Sequence, residues 1–280
     1  MNAAIRGLDH VLVGAHDLEA ARYAWARLGF KLCPRGRHIG WGTANYCLMF
    51  PRDYIELIGI VDASQFTNHL DAFLAEREGL MAVAFATDDA AACAEALRRE
   101  GIAAEGPKDL KRTLELPEGE VEPAFRLVFP PPEATPELRS FVCAHLTPEL
   151  VWRPEWLVHP NGAEGLDEVV AAVEAPGELG LAYARLFGME AVRAADGWVQ
   201  VAVGDGRLTF LGPEALAARF PEAPALPRPR LVGLAVRVRD LAATRYFLEV
   251  AGIPLAPEAD GHLRVGPAQA SGVALEFRAA

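Results

Sequence analysis

Residues 7–30, GLDHVLVGAHDLEAARYAWARLGF, read as a strand, a turn and a helix that stops at Gly29, and the segment recurs along the chain. Moved 72 positions without a gap, it falls on residues 79–102. There Gly7, Leu8, Val11, Asp17, Ala20, Ala24, Arg27 and Gly29 meet Gly79, Leu80, Val83, Asp89, Ala92, Ala96, Arg99 and Gly101. Moved 223 positions, it falls on residues 231–253, where Asp17, Leu18, Ala20, Arg22, Tyr23 and Gly29 meet Asp240, Leu241, Ala243, Arg245, Tyr246 and Gly252. A further copy opens at Gly165, where GLDEV answers GLDHV, and its helix stops at Gly188. Four copies of one small unit constrain the fold more than any composition does, because each copy must bury its apolar face against another.

Between the copies the chain alternates strand and turn. In the first module, residues 30–33 read as a short strand and residues 36–42 as a glycine-rich hairpin. Residues 44–50 and 54–60 read as strands with period-two patterning. The order is β-α-β-β-β. Residues 65–77 suit a connecting helix, with Phe66, Leu70, Phe73 and Leu74 on one face. The second module carries a charged extended hairpin over residues 105–122 and strands over 125–129 and 141–146. Residues 151–163 form a bridge rich in proline and tryptophan. The third and fourth modules span residues 165–212 and 231–278, with a proline-rich linker at 223–230. The expected architecture is α+β, four βαβββ modules paired into two curved, cup-shaped sheets. The expected division is residues 1–150, a bridge over 151–163, and residues 164–280.

At 280 residues and 51% hydrophobic, the chain can bury a substantial core. A formal net charge of −11 argues against nucleic-acid or anionic-membrane partners. No apolar run approaches the roughly 20 residues that span a bilayer, and residues 1–10 show no apolar signal core. Cys33, Cys47, Cys93 and Cys143 lack paired spacing, so reduced thiols in a cytoplasm are expected, without a disulfide.

LDHV at residues 8–11, GRHIGWGTAN at 36–45, YIEL at 54–57 and HPNGAEGL at 159–166 give the chain a family likeness. It resembles the vicinal-oxygen-chelate superfamily, which includes glyoxalase I, extradiol dioxygenases and bleomycin-resistance proteins, and within it the glyoxalase-like family. The resemblance implies a site inside the first cup, where first- and fourth-strand residues hold one divalent metal: zinc, manganese, iron or nickel. His10 fills the first-strand slot and Glu56 the fourth-strand slot. An imidazole and a carboxylate are ordinary ligands for such ions. Ala82 occupies the corresponding slot of the second module and offers no ligand. His145, sharing a strand face with Cys143, is the candidate third ligand. Glu56 doubles as the candidate catalytic base.

Each assignment has a plainer alternative. His10 can be a core histidine bonded to backbone, and Glu56 can pair with Arg37 or Arg52. Residues 36–45 can be only a tight hairpin, but Arg37, His38, Trp41, Thr43 and Asn45 supply donors and an aromatic face suited to a substrate. Trp152, Trp156, His159 and Asn161 are read as pins between the halves. Glu168 and Glu276 occupy matching slots of the second half, but without histidine they are expected to hold no metal. No nucleophile elbow, phosphate loop or dinucleotide fingerprint is present. The expected function is a metal-dependent lyase, isomerase or dioxygenase acting on a small oxygen-bearing molecule. The alternative is a metal-free protein that sequesters a small-molecule ligand. A third is a scaffold or homodimer-forming protein with a dead site.

Overall fold

The computed structural model describes residues 4–222, 230–256 and 261–280. The first half runs β1 (Gly7–Gly14), α1 (Leu18–Arg27), β2 (Gly36–His38), β3 (Thr43–Met49), β4 (Tyr54–Ile60), α2 (Leu70–Glu76), β5 (Gly79–Ala86), α3 (Ala90–Arg99), β6 (Glu105–Leu116), β7 (Gly119–Val121), β8 (Ala124–Phe129) and β9 (Ser140–His145). The second runs β10 (Ala163–Ala172), α4 (Gly180–Phe187), β11 (Val192–Ala195), β12 (Trp198–Val203), β13 (Gly206–Leu211), α5 (Pro213–Arg219), β14 (Arg230–Val238), α6 (Leu241–Val250), β15 (Leu263–Val265) and β16 (Ala274–Ala279).

The residues that repeat in the sequence are helix ends. Asp17, Asp89 and Asp240 each accept two backbone N–H bonds in the first turn of α1, α3 and α6, satisfying donors that a helix start leaves open. Gly29, Gly101 and Gly252 follow those helices with φ of +85°, +72° and +66°, the left-handed turn that glycine adopts most cheaply. In α4 the N-cap is Leu179, which makes no side-chain cap, and there the repeat is faintest.

The first sheet has the order β2-β3-β4-β1-β5-β9-β8-β6-β7, and β2 also pairs with β6, so the sheet closes on itself. β1 runs parallel to β4 and antiparallel to β5, which joins the two modules. The second sheet has the order β11-β12-β13-β10-β14-β16-β15, with β10 and β14 in the joining role. Both sheets are mixed, and the architecture is the paired-module α+β fold.

Local departures have local causes. Residues 30–33 form no strand. In the last module, the segment between α6 and β15 contributes only a Leu255–Val265 bridge among the described residues. The connecting helix is only α2, and Phe66 instead packs edge-on against Trp41, ring centroids 5.2 Å apart. Most of the proline-rich linker, residues 223–229, lies outside the described residues.

One hydrophobic core crosses both halves, from Val11, Trp25 and Phe85 to Tyr183, Phe210 and Phe277. Phe30 stacks on Phe277 at 5.9 Å. The bridge is stitched to the first half by polar contacts. Trp152 Nε1 donates to the Phe50 carbonyl, and Asn161 Nδ2 to that of Leu28, both at 2.9 Å. His159 accepts from the Lys31 N–H and donates to the Met49 carbonyl, also at 2.9 Å. All four cysteines are free and buried. Among the described residues no helix is long and apolar enough to cross a membrane.

Candidate active site

The closed first sheet surrounds a cavity of about 770 Å³. Strand alternation decides what faces it: His10 and Leu12 from β1, Asn45 from β3, Tyr54, Glu56 and Ile58 from β4, Arg112 from β6 and Cys143 from β9. Glu56 stands opposite Leu12 in the parallel ladder, two positions from the His10–Tyr54 pair, so its carboxylate and the imidazole converge.

Glu56 Oε2 lies 3.7 Å from His10 Nε2, and Oε1 lies 3.7 Å from His38 Nε2. Neither separation is a normal hydrogen bond. The close donor to Glu56 is Asn45, whose Nδ2 reaches Oε1 at 2.5 Å. Asn45 is fixed in turn by Arg112, which donates Nη1 to its Oδ1 at 3.0 Å. A Cβ on Gly36 would collide with both Asn45 and Arg112, so glycine there leaves room for the pair. Arg112 has only 3% of its surface exposed and has no carboxylate within ion-pair distance among the described residues.

The far nitrogen of each histidine is also held. His38 Nδ1 meets Thr43 Oγ1 at 2.8 Å, and His10 Nδ1 meets Asp9 Oδ1 at 2.5 Å. Tyr54 stacks on the His10 ring at 4.4 Å. Burial would raise the Asp9 carboxyl, but His145 and His10 outweigh it and hold it well below the ordinary range. Burial pushes His38 down, which favours its neutral form, and pushes the Cys143 thiol well up, which keeps it protonated.

Of the residues singled out from the sequence, His10, His38, Trp41, Asn45 and Glu56 line this cavity. Arg37 does not: alternation along β2 turns it outward, and it is exposed. Thr43 sits behind His38 and serves it. Arg52 pairs with Asp205 across the halves rather than with Glu56. The assignment of His145 needs correction. Its Nε2 bonds Asp9 Oδ1 at 3.1 Å, its ring packs on Trp152 at 4.5 Å, and it lines a separate cavity of about 660 Å³ between the halves. Two residues beyond Cys143, it has passed the end of the first cavity. His10, Glu56 and His145 therefore do not form one donor set. Among the described residues, the group whose ligand atoms lie within 4.8 Å of one another is Asp9, His10 and Cys143.

Sequence reasoning missed Asp9 and Arg112. Arg112 carried a signal, since Leu110, Arg112, Leu114 and Leu116 alternate on β6 with one charge on the inward side. Asp9 carried none. Regular alternation sends it away from His10, but a register shift between Leu8 and His10 breaks that alternation and brings the carboxylate round.

The second sheet treats the equivalent slots differently. Glu168 and Glu276 are both bound by Arg219, at 2.6 and 2.8 Å, and by Arg278, at 2.5 and 2.6 Å. The carboxylates are occupied by guanidinium groups.

Residues 8–187 match the glyoxalase-like domain family. The chain belongs to that family. Solved structures agree at the level of fold. A hypothetical protein from Staphylococcus aureus superposes with a TM-score of 0.70 at 13% identity, covering 98% of this chain and 99% of the other. A mutant 4-hydroxymandelate synthase from Streptomyces coelicolor gives 0.62 at 11% identity, covering 98% and 92%. A fusion of a xylose isomerase-like TIM barrel with a 4-hydroxyphenylpyruvate dioxygenase gives 0.60 at 15% identity, covering 98% of this chain and 48% of the fusion. No curated protein sequence matches the chain.

The donor chemistry of this glyoxalase-like cavity fits a divalent cation at its polar end. His10 gives its Nδ1 to a carboxylate, the arrangement that orients metal-binding histidines. That leaves Nε2 turned to Glu56 at a spacing two ligands of one ion can close. Cys143 is poorly suited to join them while its thiol keeps its proton.

Proposed function

We propose that the cavity of the first sheet is an active site of the lyase or isomerase kind, acting on an oxygen-bearing organic molecule, with His10 and Glu56 as the protein ligands of a divalent cation. One observation carries the reading: His10 Nε2 and Glu56 Oε2 stand 3.7 Å apart inside the cavity with every other polar atom of the pair already committed. Family membership supports it, and the fold likeness to a synthase and a dioxygenase is compatible with it.

Glu56 Oε2 is the oxygen left free to act, as a cation ligand or, when not so held, as the acceptor of a substrate proton. Asn45 and, behind it, Arg112 fix the carboxylate in one orientation and leave Oε2 toward the cavity. Asp9 holds His10 in the tautomer with hydrogen on Nδ1, so Nε2 presents a lone pair. A divalent ion bound at His10 and Glu56 would polarise a substrate oxygen and so acidify the adjacent carbon. The two-histidine, one-carboxylate triad of non-haem iron oxygenases is not brought to one point among the described residues, which favours proton transfer over oxygen chemistry.

A second reading, metal-free sequestration of a ligand, is supported by Ala82 in a slot that offers no ligand atom. Elemental analysis of protein purified without added metal separates the two. The first reading expects about one equivalent of a transition metal in the wild type and none in His10→Ala. Ligand binding by a metal-free wild type, unimproved by zinc, manganese, iron or nickel, would favour the second. The buried free thiols support a reducing, cytoplasmic setting.

A further inference from the structure

A cavity of about 770 Å³ is more than a two- or three-carbon keto compound fills. It corresponds to roughly 25 liquid waters at about 30 Å³ each. Its polar groups collect at one end, around Glu56, His10, His38, Asn45 and Arg112. Much of the remaining wall is apolar, with Leu12, Ile58, Leu127, Phe129, Phe141 and Trp41, and Asn68, His69, Ser140 and the Glu105–Lys108 pair add further polar groups.

Arg139 lies further along that wall. It directly precedes β9, and residues 139, 141 and 143 share one strand face. Cys143 lies beside His10. The ladder sets His10 opposite Ala84 and Ala84 opposite Phe141, so Arg139 lies two residues, roughly 7 Å, along the strand from the level of His10. The Arg139 guanidinium lines the cavity and is partly buried, and its Nη2 donates to the Asn68 carbonyl at 2.8 Å. No carboxylate among the described residues lies within ion-pair distance of it. The other charged pair on this stretch, Lys108 and Glu105, is joined at 3.1 Å and cancels. A guanidinium half out of water and facing an apolar cavity favours an anionic partner from outside the chain.

We infer that the ligand of this cavity is an amphiphile: an oxygen-bearing head at Glu56, an apolar chain or ring system along the wall, and a carboxylate or similar anion paired with Arg139. The head end rests on the proposed function, whereas the body and the anion rest on the wall and on Arg139 alone.

Three probes test it by calorimetry: 10-hydroxydecanoate, decane-1,10-diol and pyruvate. Wild type should bind the hydroxy acid at least tenfold more tightly than the diol, and pyruvate most weakly. Arg139→Met should erase the preference for the acid while keeping the diol's affinity, and Arg139→Lys should retain part of it. Equal affinity for acid and diol in wild type, an undiminished preference in Arg139→Met, or tightest binding of pyruvate would each overturn the inference. Glu56→Gln separates it from the proposed function. That variant should lose metal uptake yet keep the preference for the acid. Wild type that takes up no metal but shows the Arg139-dependent preference would sink only the catalytic reading.

Discussion

Asp9 Oδ1 lies 2.5 Å from Nδ1 of His10, a neighbour in sequence whose side chain regular strand geometry would send to the opposite face. The same oxygen reaches His145 Nε2 at 3.1 Å. One buried carboxylate thus orients a histidine in each of two cavities.

Asp9→Asn should therefore weaken cation binding without dismantling the sheet. The amide oxygen can still accept from His10, but the negative charge behind the ring is lost. Changes of this kind cost about 10–100-fold in metal affinity. A chelator competition titration measures it, and an affinity equal to wild type would show that Asp9 does not tune the site.

Glu168 makes the second sheet sensitive to acid. Burial opposes its charge, but Arg219 and Arg278 dominate and bring its pKa from 4.5 to about 2. A depressed carboxylate contributes stability that is full above pH 4.5 and disappears as pH falls from there to about 2. The shift corresponds to about 3 kcal/mol. Glu168→Gln leaves the buried Arg278 and the partly buried Arg219 short of charge and should cost about 3–5 kcal/mol at neutral pH. Urea denaturation at pH 7 and pH 3 should show this gap narrowing with acid.

Asp53 has the opposite sign. Burial raises its carboxyl to about 7 despite the Leu166 N–H that it accepts at 2.9 Å. Between the ordinary 3.8 and about 7 the folded chain holds a proton that the unfolded chain releases, so stability falls as pH rises through that window and is level above it. Asp53→Asn preserves an acceptor for Leu166 and removes the ionisation. We expect a gain of about 2–4 kcal/mol at pH 8 and little at pH 4; equal gains at both would contradict the assignment.

Gly42 sets the rim. A Cβ there would land on the Asp62 carbonyl oxygen, which is backbone and cannot swing away. Gly42 also donates to the Phe66 carbonyl at 2.9 Å and accepts from Val61 at 2.8 Å. Gly42→Ala should displace Trp41 from Phe66 and loosen ligand binding while the core persists. Faster amide exchange confined to residues 38–44 and 60–67 would register this. Uniform exchange across the first sheet would indicate global damage instead.

The repeats made the fold readable because caps are local chemistry. An aspartate that must accept two N–H bonds and a glycine that must turn left-handed recur wherever the same helix recurs. That His10 and Glu56 share one cavity was readable because single ionisable groups on apolar strand faces stand out. His145 was misplaced because alternation gives the side of a strand, not how far along it the cavity extends. Asp9 was invisible because a register shift changes facing without changing residue type. Arg37 was drawn in as a donor of the glycine-rich segment, and the parity of β2 turned it outward.

The two sheets fill their interiors differently. The first keeps a cavity of about 770 Å³ around Glu56, whereas the second keeps only about 300 Å³ at its equivalent slots, where Arg219 and Arg278 hold Glu168 and Glu276. A hollow interior forgoes the contacts that hold a domain together. Here the aromatic seam from Phe30 to Phe277 makes the core common property, so the more filled half braces the hollower one. Duplication in this chain thus amounts to an unequal sharing of one core, in which the copy that ties its carboxylates to arginines lends its packing to the copy whose carboxylate faces open space.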